Sequence, residues 1–519
     1  MLQLPAATHS AVWRVRDRRS ITTRQNLFGF NQGTMQRFCT IGFVLGLILM
    51  VFGVTYALPI ATSLYFEDGM VDHFVNGMSL NIGIGSLLSG VTMRFRGDVK
   101  TRDGYLLVAS FWVLMSSAAT LPLIWGIPGL SFTDAFFECV SGFTTTGATV
   151  LVGLDNLAPS LNLWRHELNW IGGLGIIVLA VAILPLLGVG GMQLYKAEIA
   201  GPVKDSKITP RITETARLLW LVYAGATLAC ILALNLAGMG WFDAICHSFA
   251  TLGLGGFSTH DASISFYDSA AIELVLTIFM LIAAMNFATH YTVLHNRSLK
   301  PYLSDPEAIP MLGVLAGSIL LCSGYLWHFN TYPDFFISLR HVTFNLVSIA
   351  TDCGLMSADF DAWPPFVPWW MLYLSCITAC TGSTGGGIKM FRTLLLWKQA
   401  GREMFSLLHP RAVNPIRIGD TPIANKIIFA VLAFIFLYFI SIVVMTFTLI
   451  FTGLDPISAL SAVIACINNA GPGLNQLGPS HSYASLSDFQ TWICAITMLL
   501  GRLEVFTLIV LFTPTFWRK

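Results

Sequence analysis

The chain has 519 residues, of which 55% are hydrophobic and only 11% charged, with a mean hydropathy of +0.69. A soluble domain carries about a quarter charged residues, so this composition excludes an ordinary soluble protein and indicates a polytopic membrane protein. The formal net charge of +1 identifies no partner, because in such chains the distribution of charge matters rather than its sum; no nucleic-acid partner is expected.

Residues 1–36 are polar and arginine-rich, with Arg14, Arg16, Arg18, Arg19 and Arg24. They lack the apolar core and cleavage site of a secretory signal and read as a cytoplasmic tail. Residues 37–101 hold two accessory spans, at 37–66 and 70–95, each long enough to cross a bilayer at about 1.5 Å per residue. The basic connection at 94–102 places their junction with the next span in the cytoplasm.

From there one module repeats: a span, a short amphipathic segment, a glycine loop and a second span. The first repeat, 102–195, takes 103–125, 131–140, the loop at Gly147 and 162–187. The second, 196–300, takes 212–237, 241–250, the loop at Gly255 and 271–294. The third, 301–412, takes 309–327, 334–348, the loop at Gly354 and 364–397. The fourth, 413–519, takes 423–451, 455–466, the loop at Gly471 and 487–516. Near-regular spacing of the four glycines indicates tandem duplication. The fold expected is therefore an all-α polytopic membrane protein of about ten spanning helices, with four repeats around a central pore. Asp134, Asp243, Asp334 and Asp455 stand near the start of each short segment, where an aspartate caps a helix whose opposite, electronegative end then faces the loop and favours a cation.

A polar glycine loop at membrane depth is tolerated only where it is buried in protein or lines a watery cavity. Four of them argue for a pore. Basic residues between the modules (Lys196, Lys204, Lys207, Arg211, Arg297, Lys300, Lys398, Arg402, Arg411, Arg417, Arg518 and Lys519) fall on the side of the N-terminal tail, and acidic residues (Glu67, Asp68, Asp155, Asp261, Asp268, Asp359, Asp361 and Asp488) fall opposite. Both termini are thus expected in the cytoplasm, with every glycine loop entering from an acidic outer vestibule. The ten cysteines lie mostly in apolar runs without a CxxC pair and read as small buried residues.

The stretches SGFTTTGAT, WIGGLGIIVLAVAILPLLGVGGMQLYKAE, GGFSTHDAS, TGSTGGGIK, NNAGPG and GRLEVFT carry a resemblance. From about residue 37 onward the chain resembles the TrkH-type subunits of the Trk/Ktr/HKT potassium transporters. The resemblance implies a fourfold pseudosymmetric pore preceded by two extra helices, in the bacterial cytoplasmic (inner) membrane, with potassium as the transported ion.

A potassium filter replaces the hydration shell with backbone carbonyls, and glycine lets the chain turn them inward. The filter segments expected are Thr144, Thr145, Thr146 and Gly147; Gly253, Leu254 and Gly255; Thr351, Asp352, Cys353 and Gly354; and Asn468, Asn469, Ala470 and Gly471. Potassium at these segments is the only metal expected. Serine at the first of the four glycines goes with sodium transport in the wider family, and glycine in all four copies resembles the potassium-selective members. Asp352 and Cys353 depart from the usual threonines, and the extra carboxylate bears on affinity and sodium rejection.

The stretch 381–389, with Gly382, Gly385, Gly386, Gly387 and Lys389, interrupts a span that would not normally accept three successive glycines. By resemblance it is the intramembrane gate loop under the filter. It is not a nucleotide P-loop, because Ile388 follows the glycines and the lysine comes one residue late. Arg502 lies in mid-span, where a guanidinium costs at least about 2.5–3.5 kcal/mol unless it faces protein or water. Family comparison puts it below the filter as a barrier to cations; the plainer alternative is a salt bridge with a carboxylate such as Glu504.

Catalytic constellations are missing, so no enzyme is expected. His166 and Glu167 begin an H-E pair, but Trp170 occupies the place of a second zinc-binding histidine. His290 and His295 read as interfacial, and His247 and His260 as locally hydrogen-bonded. Two functions remain: a potassium-uptake pore, channel-like or ion-coupled, and an alternating-access transporter for another cation or solute. Modules that all run in one direction favour the pore. The resemblance further implies a homodimer and a cytosolic ring of nucleotide-binding regulatory subunits, docked at Lys196 to Arg211 and Lys398 to Arg417. No cofactor is expected on this chain, and nucleotide acts only through that partner.

Overall fold

A computed structural model describes residues 32–95, 101–175, 212–412, 414–419 and 421–518. The N-terminal tail up to residue 31, the middle of the 94–102 connection, the end of the first repeat's closing span, the run Lys196 to Arg211 and Lys519 lie outside the described residues.

The described residues are mostly helical, and the β pairing among them is a two-residue antiparallel match of Arg417–Ile418 with Thr421–Pro422. Among the described residues, six helices are long and apolar enough to cross a membrane: Met35–Phe66, Val71–Phe95, Arg102–Gly126, Arg217–Leu236, Ala308–His328 and Asn425–Phe451. Two bent pairs raise the number to eight. The remaining spans expected from sequence are the closing spans of the first and third repeats, of which the described helices are Pro159–Leu174 in the first, and Phe366–Ser375 and Met390–Leu408 in the third.

The first two spans meet along glycine. A Cβ on Gly46 would fall 2.8 Å from the Gly85 carbonyl oxygen, and one on Gly85 would fall 2.6 Å from that of Gly46. Small residues permit this close helix approach in lipid, where packing rather than hydrophobicity holds helices together. Asp68 then ties the hairpin to the first repeat, its carboxylate accepting from the N–H groups of Met70 at 3.2 Å and Ser160 at 2.9 Å.

Each repeat contains a short helix that ends inside the protein: Phe132–Phe143, Trp241–Gly253, Phe335–Ala350 and Pro456–Asn468. Their aspartates divide into two roles. Asp334 and Asp455 are N-caps, accepting from the N–H groups of Phe336 and Ser458. Asp134 and Asp243 instead sit in the first turn, and in the first repeat the cap is Ser131, which accepts from the Asp134 N–H. Either place favours a negative charge at the helix N-terminus. The third short helix has 16 residues against 12 or 13 in the others; this extra turn, together with an aspartate that precedes the helix where Asp134 and Asp243 lie inside theirs, accounts for the long Asp334-to-Gly354 interval.

The closing helices depart from the continuous spans expected at 271–294 and 487–516. Ala270–Ala284 bends by 99° into Phe287–Asn296, and Asp488–Arg502 bends by 107° into residues 506–512. In the second repeat the Asn286 carboxamide caps the new helix through the Ala288 N–H at 2.8 Å, while Phe287 N–H donates to the Gly382 carbonyl. In the fourth, Glu504 and Val505 adopt φ of 52° and 46°, a left-handed kink that ends the helix. Apolar residues on both sides of each break conceal it in the sequence.

Neighbouring repeats are stitched in a ring through the loops that follow the short helices. Asp261 accepts from Gly153 and Leu154 N–H (first to second), and Met356 carbonyl accepts from Ile264 and Ser265 N–H (second to third). Asp361 accepts from Asn475 N–H (third to fourth), and Tyr483 N–H donates to the Thr149 carbonyl (fourth to first).

Candidate functional site: a ring of four helix ends above a glycine loop

The four short helices terminate identically. Thr145, Leu254, Asp352 and Asn469 take the left-handed conformation, with φ of 56°, 53°, 65° and 60°. The following residue reaches back five positions: Thr146 to Ser141, Gly255 to Ala250, Cys353 to Ser348 and Ala470 to Ala465, each N–H···O at 2.8 Å. This is the Schellman pattern. A positive-φ glycine follows in every copy: Gly147 (82°), Gly256 (63°), Gly354 (88°) and Gly471 (91°).

One register is corrected by this congruence. The second-repeat equivalent of Gly147, Gly354 and Gly471 is Gly256, and Gly255 occupies the place of Thr146, Cys353 and Ala470. Three glycines within Gly253, Leu254, Gly255 and Gly256 leave the sequence ambiguous, and only the left-handed Leu254 fixes the alignment.

The glycines close a ring. A Cβ on Gly147 would lie 2.5 Å from the Gly255 carbonyl oxygen, one on Gly256 2.1 Å from that of Cys353, one on Gly354 2.6 Å from that of Ala470, and one on Gly471 2.7 Å from that of Thr146. Each repeat thus abuts the next, and the fourth abuts the first. Both the positive φ and the close approach of backbone demand glycine here.

The side chains of these segments are spent inside the protein. Thr144 donates to the Val140 carbonyl and exchanges a 2.7 Å hydrogen bond with Thr146. Asn469 Nδ2 donates to Thr146 Oγ1 at 2.9 Å and to the Met498 carbonyl at 3.1 Å. Thr351 donates to Val347, and Asn468 is held by Tyr438 and Ser375. Cys353 and Leu254 are fully buried.

The glycine loop reaches the ring. Gly386 N–H donates to Asp352 Oδ2 at 3.0 Å, and a Cβ on Gly386 would lie 1.9 Å from the Asn468 carbonyl oxygen. Lys389 Nζ donates to the Gly385 carbonyl. Gly382 and Gly387 adopt positive φ of 80° and 69°. Glu307, unremarked in the sequence, grips both feet of the loop: its Oε2 accepts from Thr381 N–H at 2.8 Å and Phe391 N–H at 3.1 Å.

Arg502 spans these parts. It donates to Thr145 Oγ1 at 3.2 Å, to the Thr384 carbonyl at 3.0 Å, and to the carbonyls of Gly172 and Gly173. Glu504, the partner weighed for it from sequence, pairs with Arg392 at 2.5 Å.

A second arginine missed by sequence reasoning lies behind the ring. Arg165 is packed over Phe257, 4.3 Å from the ring centre, and donates to Glu138, Asn162 and the Ser258 carbonyl. Of the histidines, His247 bonds the Asp243 carbonyl and Ser258, and His260 bonds Asp155. His290 is buried against Tyr302 and the Ile282 carbonyl rather than interfacial. Among the described residues no cluster of three or more His, Cys, Asp or Glu is placed to hold a metal.

The family model for TrkH, described as a cation transport protein, matches residues 71–310 and 332–519. The chain is 47% identical to the Trk system potassium uptake protein TrkH of Halomonas elongata over 92% of its length and 98% of that protein's. It is 46% identical to the Escherichia coli K12 protein of the same name, with the same coverage. A crystal structure of the potassium transporter TrkH from Vibrio parahaemolyticus superposes with a TM-score of 0.84 at 42% identity, covering 93% of this chain and all of the other. Four congruent helix ends closed into a ring, and matches over nearly the whole chain, lead to one conclusion: the chain belongs to the TrkH family of cation transport proteins, which are transporters and not enzymes.

Proposed function

We propose that the chain takes up potassium across the bacterial cytoplasmic membrane through a filter of backbone carbonyls drawn from Thr144 to Gly147, Gly253 to Gly256, Thr351 to Gly354 and Asn468 to Gly471. The cyclic contact of the four glycines is the observation that carries this reading. Carbonyls gathered from four related segments replace a hydration shell, and most side-chain polar groups of these segments, Asp352 Oδ1 and Asn469 Oδ1 excepted, are already bonded within the protein, which leaves that task chiefly to the backbone. The loop at 381–389 and Arg502 form the gate beneath, since a fixed positive charge and a plug of backbone both oppose cation passage. The relatives named as potassium uptake proteins support the choice of ion.

In the same reading the chain works as a homodimer, with both termini in the cytoplasm, and a cytosolic nucleotide-binding ring subunit acts on the gate. Resemblance to the family supports these points. Purified protein in liposomes tests the whole: potassium and rubidium should enter while sodium is excluded, and addition of a nucleotide-loaded ring subunit should change the rate. Equal entry of sodium, or none of any ion, overturns the proposal.

A further inference from the structure

Asp352 is the one charged residue among the four left-handed cap positions, where its counterparts are Thr145, Leu254 and Asn469. It is fully buried. One carboxylate oxygen accepts from the Gly386 N–H, and the other, Oδ1, has no hydrogen-bond partner among the described residues. The neighbouring repeat repeats the situation: Asn469 uses its Nδ2 for Thr146 and Met498, and its buried Oδ1 is likewise without a partner.

Gly386 stands between the two. The position of its missing Cβ is 3.4 Å from Asn469 Oδ1 and 1.9 Å from the Asn468 carbonyl oxygen, while that of Gly385 is 3.2 Å from the Thr351 carbonyl oxygen. A carboxylate, a carboxamide oxygen and two main-chain carbonyls therefore border the same two glycines. Oxygen donors with a single negative charge suit a monovalent hard cation.

A buried carboxylate needs compensation. In this conformation the loop provides it twice, through the Gly386 N–H and through the charge of Lys389, which acts on Asp352. Cys376 and Tyr438 also interact electrostatically with Asp352, and neither brings a positive charge. Displacing the loop removes both supports together and leaves the carboxylate to the nearest mobile cation.

We propose that Asp352, with Asn469 Oδ1 and the adjoining carbonyls, forms an alkali-cation subsite on the gate side of the filter, for which the transported ion and the gate loop compete. The inference rests on the filter reading above and adds a linkage to it. An ion at Asp352 favours the displaced loop, and by reciprocity a displaced loop favours the ion.

Rubidium serves as the probe, located by anomalous scattering and titrated calorimetrically on the full-length protein. Gly386→Ala pushes a Cβ into the Asn468 carbonyl and so displaces the loop; it should show a second rubidium peak beside residue 352 in addition to that in the filter. Adding Asp352→Asn should abolish the second peak and keep the first. Lys389→Gln, which alters charge without crowding, should tighten the second binding step, and Asp352→Asn should delete it. A second peak that survives Asp352→Asn, or its absence in both loop variants while the filter is occupied, overturns the proposal. Proton uptake at Asp352 in place of rubidium does so too. An empty filter in the wild type overturns the filter reading first, and is read separately.

Discussion

Arg165 and Glu138 form an ion pair at 2.7 Å in which the two side chains are 1% and 0% exposed. The pair is fully provided for: Glu138 also accepts from Val150 N–H and Thr149 Oγ1, and the guanidinium continues to Asn162 and the Ser258 carbonyl of the second repeat. It thus holds the backbone on either side of the seam between the first two glycine loops. Removing one partner leaves a buried charge, so Glu138→Gln and Arg165→Met should each destabilise by about 3–5 kcal/mol, with the double substitution less harmful than the sum. Thermal unfolding in detergent checks this; independent, additive losses would disprove the pairing as the source.

How much of this was legible follows from where the signals lie. Thr144 to Gly147 and Asn468 to Gly471 stand out because small polar residues interrupt apolar helices. The second segment was misregistered by one residue because Gly253, Gly255 and Gly256 compete for one place, and backbone conformation alone decides. Arg165 sits beside a histidine and glutamate pair that drew attention for catalytic reasons, while its actual partner lies 27 residues earlier and meets it only in three dimensions. Glu307 reads as an ordinary residue before a span. Nothing local announces that it grips two points more than 70 residues downstream.

The four ring glycines, which line the proposed filter, should tolerate no side chain. Gly354→Ala forces a Cβ to 2.6 Å from the Ala470 carbonyl oxygen at φ of 88°, and positive φ alone costs an L-residue about 1–2 kcal/mol. Potassium flux in liposomes should fall sharply or lose its discrimination against sodium. Gly313→Ala, in the outer helix Ala308–His328 with nothing within 4 Å of the added carbon, should conduct as the wild type. Equal behaviour of the two would remove the close-packed ring from the mechanism.

Glu307 should set the stability of the closed loop. Glu307→Ala deprives Thr381 and Phe391 N–H of a charged acceptor, a loss of about 1.5–3 kcal/mol for each bond of this kind. Hydrogen exchange across 381–391 should accelerate and basal cation leak should rise, with the filter's ion preference unchanged. Protection identical to wild type would show that other contacts hold the loop.

Between the first and second repeats, His260 Nδ1 donates to Asp155 at 2.5 Å, and this bond holds the Asp155 carboxyl below its ordinary range. A depressed folded-state value contributes stability that is complete above the unfolded value of about 4 and is lost as pH falls through the folded one. The side chain is 45% exposed, so solvent screening keeps the contribution to at most about 1 kcal/mol. Asp155→Asn should therefore lower the melting temperature slightly at neutral pH, with the difference disappearing under acid conditions below about pH 4. A difference that grows on acidification has the wrong sign for this pair.

Arg502 combines charge with reach, and the two can be separated. Its guanidinium joins the end of the first short helix at Thr145, the glycine loop at Thr384 and the end of the first closing helix at Gly172 and Gly173. Lysine keeps the charge but not the planar fork that serves several acceptors at once. A purely electrostatic barrier predicts that Arg502→Lys conducts like the wild type, whereas a tie between filter and loop predicts that it leaks. The several acceptors favour the tie in addition to the barrier, so rubidium flux should rise in Arg502→Lys and rise further in Arg502→Ala, with the unfolding temperature lowered in both. An alanine variant that folds normally and conducts no faster than the wild type would remove Arg502 from the proposed gate, and with it the reason for a guanidinium at the break between Asp488–Arg502 and residues 506–512.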